Sequence, residues 1–512
     1  MLDFALKLQI RYENSTSIDY RKEQGQVFTP VEIARFMANL FSKIPAQYHL
    51  LDPGAGLGIL TTAFCERLAK LSSFRHITAH LFENDSRLIP LLKTNLDNCK
   101  KVLCNAGHSF DYIIHEEDFV LSASLGLDGQ HNFNDIMRNT RFDGVIMNPP
   151  YFKVRKDSEY AILMKKIVHG QPNIYAFFMA LAARLLKEDG EIVSITPRSF
   201  CNGLYFRGFR RWFFNRVTLD HIHIFESRTD AFKHSSVLQE SIITKFSRTV
   251  HPSSRITITK SIGRDISEKL EPKYVSADNI VDNSCGDMIV RIPESSDDNE
   301  IMNIVESFPT RFSEIGLRIS TGPVVLFRAT DFLLKSEGGK SSVPLLHLHN
   351  VKPFETTWPI SKNGKSIAFK LCNDSLRLLL PVTNYVLLKR FSAKEEKRRL
   401  TAGCFFKFQY PYPYVGIENH LNYIHHAERE LTEDEVFGIA SLFNSNLFDR
   451  YFRTISGNTQ VNATEIRTMF FPDLKMIGKI GKEVRCNISE METVVYNHLS
   501  INASLRDCLV GK

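Results

Sequence analysis

The chain has 512 residues, 43% hydrophobic and 24% charged, and Lys plus Arg exceed Asp plus Glu by 64 − 57 = 7. These proportions exclude a disordered chain. No run of eighteen or more uncharged apolar residues marks a membrane span. The length predicts two domains, since one core rarely extends so far. Nine cysteines lie scattered with no CxxC pair, so neither a disulfide framework nor a metal site is expected, and a reducing cytosol fits. The opening Met1-Leu2-Asp3-Phe4 carries no basic segment leading into an apolar stretch, so the expected location is cytoplasmic. The small basic excess tolerates a polyanionic partner without demanding one.

Taken in chain order, apolar spacing predicts a helix over 31–43. Leu50-Leu51 reads as a short strand running into Asp52-Pro53-Gly54-Ala55-Gly56-Leu57-Gly58, with a helix over 59–71. A strand over 79–82 ends at Glu83, and a helix over 86–99 takes Ser86 as its cap. Strands over 110–115 and 142–147 end near Asp118 and at Asn148. An amphipathic helix over 174–187 is stopped by Gly190, and a fifth strand covers 191–196. This alternation predicts a doubly wound, largely parallel α/β sheet of Rossmann type. Beyond about residue 250 the rhythm is lost, and 251–512 is expected to form a second, α+β domain.

The strand ends carry the chemistry. In open α/β sheets ligands bind beyond the carboxyl ends of the strands, and glycines let the backbone approach closely. Gly54, Gly56 and Gly58 meet that context, although many such turns need glycine only to turn, and the pattern is neither GxGxxG nor a P-loop. Glu83 can accept both hydroxyls of a ribose; a solvated strand-end acid is the plainer alternative. Asp118 can accept from an adenine amino group while Phe119 packs on the ring. In Asn148-Pro149-Pro150-Tyr151 the two prolines fix φ and cannot donate, leaving the Pro149 carbonyl free to accept. With the Asn148 side-chain oxygen it can hold both hydrogens of one amino group and aim the nitrogen lone pair at an electrophile. Tyr151 offers a flat face for the target.

With these residues in order, the first 250 residues resemble the N6-adenine DNA methyltransferases of TaqI-like and Eco57I-like type. Gly25-Gln26-Val27-Phe28-Thr29-Pro30 is similar to their N-terminal cofactor motif, and 52–58 to their S-adenosylmethionine loop. The resemblance implies that Thr29, Pro30, Asp52, Gly54, Gly56, Glu83, Asp118, Phe119 and Asn148 bind S-adenosylmethionine, and that Asn148, Pro149, Pro150 and Tyr151 form the catalytic motif. It implies residues 1–250 as catalytic domain and 251–512 as target-recognition domain. It implies methylation of adenine N6 in a short sequence of double-stranded DNA, by an adenine-specific site-specific DNA methyltransferase that protects DNA from a separate restriction endonuclease. The target base would leave the duplex stack, sandwiched between Tyr151 and an aromatic matching Phe232, with Phe225 as rival. No membrane or metal enters, and one chain holding both halves is expected to act as a monomer.

Arg207, Arg210 and Arg211, interleaved with aromatics over 206–216, suit phosphate contact or a solvated helix face equally. Asn419, His420 and Asn422, with Gln460 and Asn462, can read base edges or serve as turn residues. Enzymes that share the tetrapeptide and act on RNA adenine or on protein glutamine are the alternatives. The glutamine methylases are short, whereas about 260 residues follow the catalytic half here. A bifunctional enzyme with a fused nuclease is weighed against by a first motif that already begins near residue 25.

Overall fold

Every residue is described by the computed structural model except 126–139, 169–172, 226–240, 264–265, 267–269, 284–285, 294–295, 363, 393–395, 457–459 and 511–512. The described residues divide into two units, Met1–Arg291 and Ile292–Lys512.

The first unit is built on a nine-stranded sheet: β1 (Gln47–Asp52), β2 (His76–Phe82), β3 (Ser109–His115), β4 (Phe142–Met147), β5 (Leu186–Pro197), β6 (Thr218–Phe225), β7 (Ser241–Ser247), β8 (Arg255–Ser261) and β9 (Lys273–Ser276). Their order is β3-β2-β1-β4-β5-β7-β6-β8-β9. The first five run parallel, while β7 lies antiparallel between β5 and β6. Leu50, Leu81, Ile146, Val193 and Ile243 are fully buried along these strands. Each contributes about 1.5–3 kcal/mol of burial, which explains why central strands read as apolar runs.

Helices α1 (Leu2–Ser15), α2 (Ile18–Glu23), α3 (Val31–Asn39), α4 (Ile59–Leu68), α5 (Ile89–Asn105), α6 (Phe119–Leu125), α7 (Glu159–Met164), α8 (Tyr175–Leu185) and α9 (Arg207–Phe214) accompany the sheet. This is the doubly wound α/β arrangement expected. Three details differ from expectation. Helix α5 starts at Ile89 with Pro90 in its first turn, so Ser86 precedes the helix and does not cap it. Helix α8 ends at Leu185 and passes directly into β5, whose register shifts opposite Phe142–Gly144, so Gly190 lies within the strand. The unit also runs past the boundary expected at 250, because β8 pairs with β6 and β9 with β8 to widen the same sheet.

The second unit combines helices and sheets. The strands of its two larger sheets are β10 (Leu317–Thr321), β11 (Leu333–Leu334), β12 (Ser342–Leu346), β13 (Ala368–Lys370), β14 (Leu380–Pro381), β15 (Tyr385–Lys389), β16 (Ala402–Phe405), β17 (Tyr414–Ile417) and β18 (Leu421–His426). They form sheets ordered β10-β18-β15-β16 and β11-β13-β12-β17-β14. Helices α10 (Ser296–Glu306), α11 (Glu433–Asn444), α12 (Asn446–Ile455), α13 (Ala463–Thr468), α14 (Leu474–Cys486), α15 (Met491–His498) and α16 (Ala503–Val510) pack around one large apolar cluster.

Candidate active site

Strand β1 is flanked by β2 on one side and β4 on the other. Successive connections therefore leave in opposite directions and open a crevice at the carboxyl ends. A cleft of about 260 Å³ lies there, lined by Thr29, Gly54, Gly56, Glu83, Asp118, Phe119, Asn148 and Pro150, among others. Apart from Thr29, which precedes α3, these residues share one wall because they follow the carboxyl ends of strands.

Gly56 and Gly58 have φ of +55° and +76°, and a Cβ on Gly58 would stand 2.8 Å from Leu92 Cδ1. Both positions require glycine. The loop is tied to β2 through Glu83, whose Oε2 accepts the Gly56 N–H and Oε1 the Asp85 N–H, each at 2.8 Å. Burial raises the pKa of Glu83. Asp52 lies beneath the loop, outside the cleft lining, and its Oδ2 accepts from Thr61 Oγ1 at 2.8 Å. Burial pushes its pKa up to about 7. Pro30 also lies outside the lining, where it opens α3.

Asp118 Oδ1 accepts the Leu121 N–H at 2.9 Å, and Oδ2 accepts the Tyr160 hydroxyl at 2.8 Å. The buried Phe119 ring meets Phe82 edge-on at 5.1 Å and Phe178 at 5.2 Å. Asn148 is fixed on both sides of its carboxamide. Its Nδ2 donates to the Val27 carbonyl and to Thr29 Oγ1, both at 3.0 Å. Its Oδ1 accepts from the Tyr151 hydroxyl at 2.7 Å. A carbonyl can only accept, so Val27 determines which end of the amide is nitrogen. Tyr151 has one proton and two acceptors within reach, Asn148 Oδ1 and Ile195 O at 2.9 Å. Burial raises its pKa, so the phenol keeps that proton. Neither Pro149 nor Tyr151 lines the cleft.

Sequence reasoning missed three contributors. Tyr12 of α1 donates its single hydroxyl proton within 2.9 Å of both Gln26 Oε1 and Asp85 Oδ2, while Gln26 Nε2 donates to Asp85 Oδ2 at 2.7 Å. That latch holds the 25–30 segment against the end of β2. Tyr160 and the half-exposed Phe152 also line the cleft. They sit in a stretch without periodicity that sequence could not place.

Other expected residues sit elsewhere. Phe232 lies outside the described residues, and Phe225 is buried in the sheet. Arg210 is only 1% exposed and donates to the carbonyls of Phe200, Gly203 and Asp287 at 2.8–3.1 Å. That places it in the interior of the unit and corrects the phosphate-contact expectation. Arg207 and Arg211 both engage Asp287 while remaining about half exposed. Asn422 is fully buried, accepting from Thr321 Oγ1 at 3.0 Å and donating to Val461 O at 2.8 Å. This core role corrects its assignment to base reading. Asn462 precedes α13, its N–H donating to Glu465 Oε2 at 3.2 Å in a helix-capping arrangement. Arg390 joins Asn419 and Gln460, donating to Asn419 O at 3.0 Å and Gln460 Oε1 at 3.1 Å. His420 is partly exposed and bonds the buried Glu418 at 2.8 Å.

Strand order and cleft define a Rossmann-like methyltransferase, followed by a further domain. Comparison with known proteins narrows this. Residues 31–232 match the family model described as Eco57I restriction-modification methylase. The chain is 33% identical over 500 residues to the type II methyltransferase M.PstI of Providencia stuartii, spanning 97% of this chain and 96% of that protein. It is 35% identical over 503 residues to the type II methyltransferase M.BsuBI of Bacillus subtilis, spanning 96% and 95%. The chain belongs to the type II methyltransferases of restriction-modification systems. Among solved structures, the type IIL restriction-modification enzyme MmeI in complex with DNA shares its fold, at a TM-score of 0.53 and 12% identity, covering 99% of this chain and 74% of MmeI.

Proposed function

We propose that this protein transfers the methyl group of S-adenosylmethionine to N6 of an adenine within a short sequence of double-stranded DNA. In that reading it is the modification partner of a separate restriction endonuclease. The observation that carries the proposal is the Asn148 carboxamide, oriented by Val27 and Thr29 at the edge of a cleft that also presents Glu83 and Asp118.

The cleft suits the cofactor. Gly54 leaves its side open, where a Cβ would stand 3.7 Å from Phe178 and 3.9 Å from Asn148 O. Glu83 supplies a carboxylate for ribose hydroxyls, Asp118 one for the adenine amino group, and Phe119 and Phe178 an apolar wall. S-adenosylmethionine supplies a methyl group already activated by its sulfonium. Asn148 Oδ1 and the Pro149 carbonyl accept the two hydrogens of the target amine and point its lone pair toward the cleft. Positioning and preorganised acceptors then do the remaining work. The target base is flipped from the duplex at a cost of a few kcal/mol, with Tyr151 on one face. The second unit is the proposed target reader, with His420 and Gln460 as its candidate side chains.

The test is expression in a methylase-free host, with modified bases mapped across the genome and Asn148→Ala as control. N6-methyladenine confined to one short motif and absent from the control is the expected result. Unmodified DNA from cells containing folded protein would overturn the proposal.

A further inference from the structure

Asn148 has a carboxamide with two donor hydrogens, and both are used before any ligand arrives. One meets the Val27 carbonyl and the other Thr29 Oγ1, each at 3.0 Å. Both partners lie more than a hundred residues upstream, on the segment between α2 and α3. That segment is pressed against the tetrapeptide. Gly25, with φ of +65°, would bring a Cβ within 3.4 Å of Pro150 Cβ. Thr29 is 5% exposed and directly precedes the first residue of the α3 cap, where Pro30 O accepts from the Ala34 N–H at 2.9 Å. Its hydroxyl therefore has little freedom to leave Asn148.

We infer that Thr29 is a positioning residue for methyl transfer, holding the Asn148 carboxamide so that Oδ1 faces the incoming amine. The inference rests on the reading of Asn148 as the acceptor for that amine. It differs from a role as cofactor ligand, because Thr29 then acts through Asn148. The Val27 carbonyl alone restrains one amide hydrogen. Without the second acceptor the Nδ2 end is held by Val27 alone, and the Oδ1 end by a Tyr151 hydroxyl whose single proton can turn to Ile195 O instead. An acceptor misplaced by a fraction of an ångström loses rate and leaves ground-state binding unchanged.

The experiment uses the full chain and a duplex carrying the mapped motif, with Thr29→Val, Thr29→Ala and Thr29→Ser. Cofactor affinity is measured by calorimetry, and methyl transfer by single turnover at saturating S-adenosylmethionine. Thr29→Val is expected to slow single turnover about tenfold, the equivalent of one lost hydrogen bond, with cofactor Kd changed by less than about threefold. Thr29→Ser, which keeps the acceptor, is expected to restore the rate. Thr29→Ala provides the same acceptor loss without a methyl group facing the amide, should the valine variant misfold. A weakened cofactor Kd with an unchanged rate at saturation would make Thr29 a cofactor ligand and overturn the inference. So would equal slowing in the serine and valine variants, or no change in either quantity. A full rate in Asn148→Ala, or no transfer by the parent chain, would instead remove the underlying reading of the site.

Discussion

At the scale of single residues, the site depends on polar groups whose partners are already in place. Asn148→Ala is expected to lower the rate of methyl transfer by about 10²–10³-fold, the cost of losing one preorganised partner, while cofactor affinity stays within a few-fold. Tyr160→Phe removes the hydroxyl that orients Asp118. It should weaken S-adenosylmethionine binding by about three- to tenfold, measured by calorimetry. Asp52 makes a pH prediction. Burial raises its pKa in the fold from 3.8 to about 7, so between those values the folded state holds a proton that the unfolded chain releases. Its burial therefore costs stability increasingly as pH rises from 3.8 to about 7, with no further loss above. Asp52→Asn cannot ionise, so its denaturant-unfolding free energy should lack that part of the downward slope; parallel profiles would refute the assignment.

At the scale of elements, two packings stand out. Helices α11 and α14 cross through glycines. A Cβ on Gly438 would lie 2.0 Å from Ile477 O, and one on Gly481 would lie 1.7 Å from Asp434 O. No side-chain adjustment relieves a clash with backbone, so Gly481→Ala should destabilise the second unit by at least about 1–3 kcal/mol, read as a lower Tm. The other packing is the latch of α1, where Tyr12 is buried against Gln26 and Asp85. Strands β1–β5 and helices α3, α4, α5 and α8 of the first unit were legible because each is signalled locally, by apolar spacing and by glycine or proline at its ends. Helix α1 was not anticipated, and its tie to Asp85 depends on a partner 73 residues away.

At the scale of the whole molecule, the two units end and begin at Arg291 and Ile292. A chain stopped at residue 250 would lose β8 and β9 and leave β6 as an open sheet edge, a site for aggregation. A chain stopped at 291 keeps the sheet complete. The shorter fragment is expected to be insoluble, and the longer one to bind S-adenosylmethionine within about threefold of the full chain yet methylate no defined motif. Sequence-selective methylation by the 291-residue fragment would remove the target-reading role from the second unit. The boundary expected near 250 falls short of β8 and β9, whose place on this sheet is fixed by pairing with β6 and with each other rather than by a βα rhythm in the sequence.

The sequence by itself determined the sheet class and most of the cleft. Gly54, Gly56, Glu83, Asp118 and Asn148 each end a strand or follow one, and a parallel sheet brings strand ends to one edge whatever the details of packing. Tertiary structure decided what each polar side chain does there. Arg210 and Asn422 carry the same chemistry in the sequence as ligand-binding residues, yet both are consumed by buried carbonyls and hydroxyls. Thr29 and Tyr160 became part of the site through partners 119 and 42 residues away. The reason is physical: a hydrogen bond is satisfied by whichever partner the fold delivers, and residue type specifies only what can be donated or accepted.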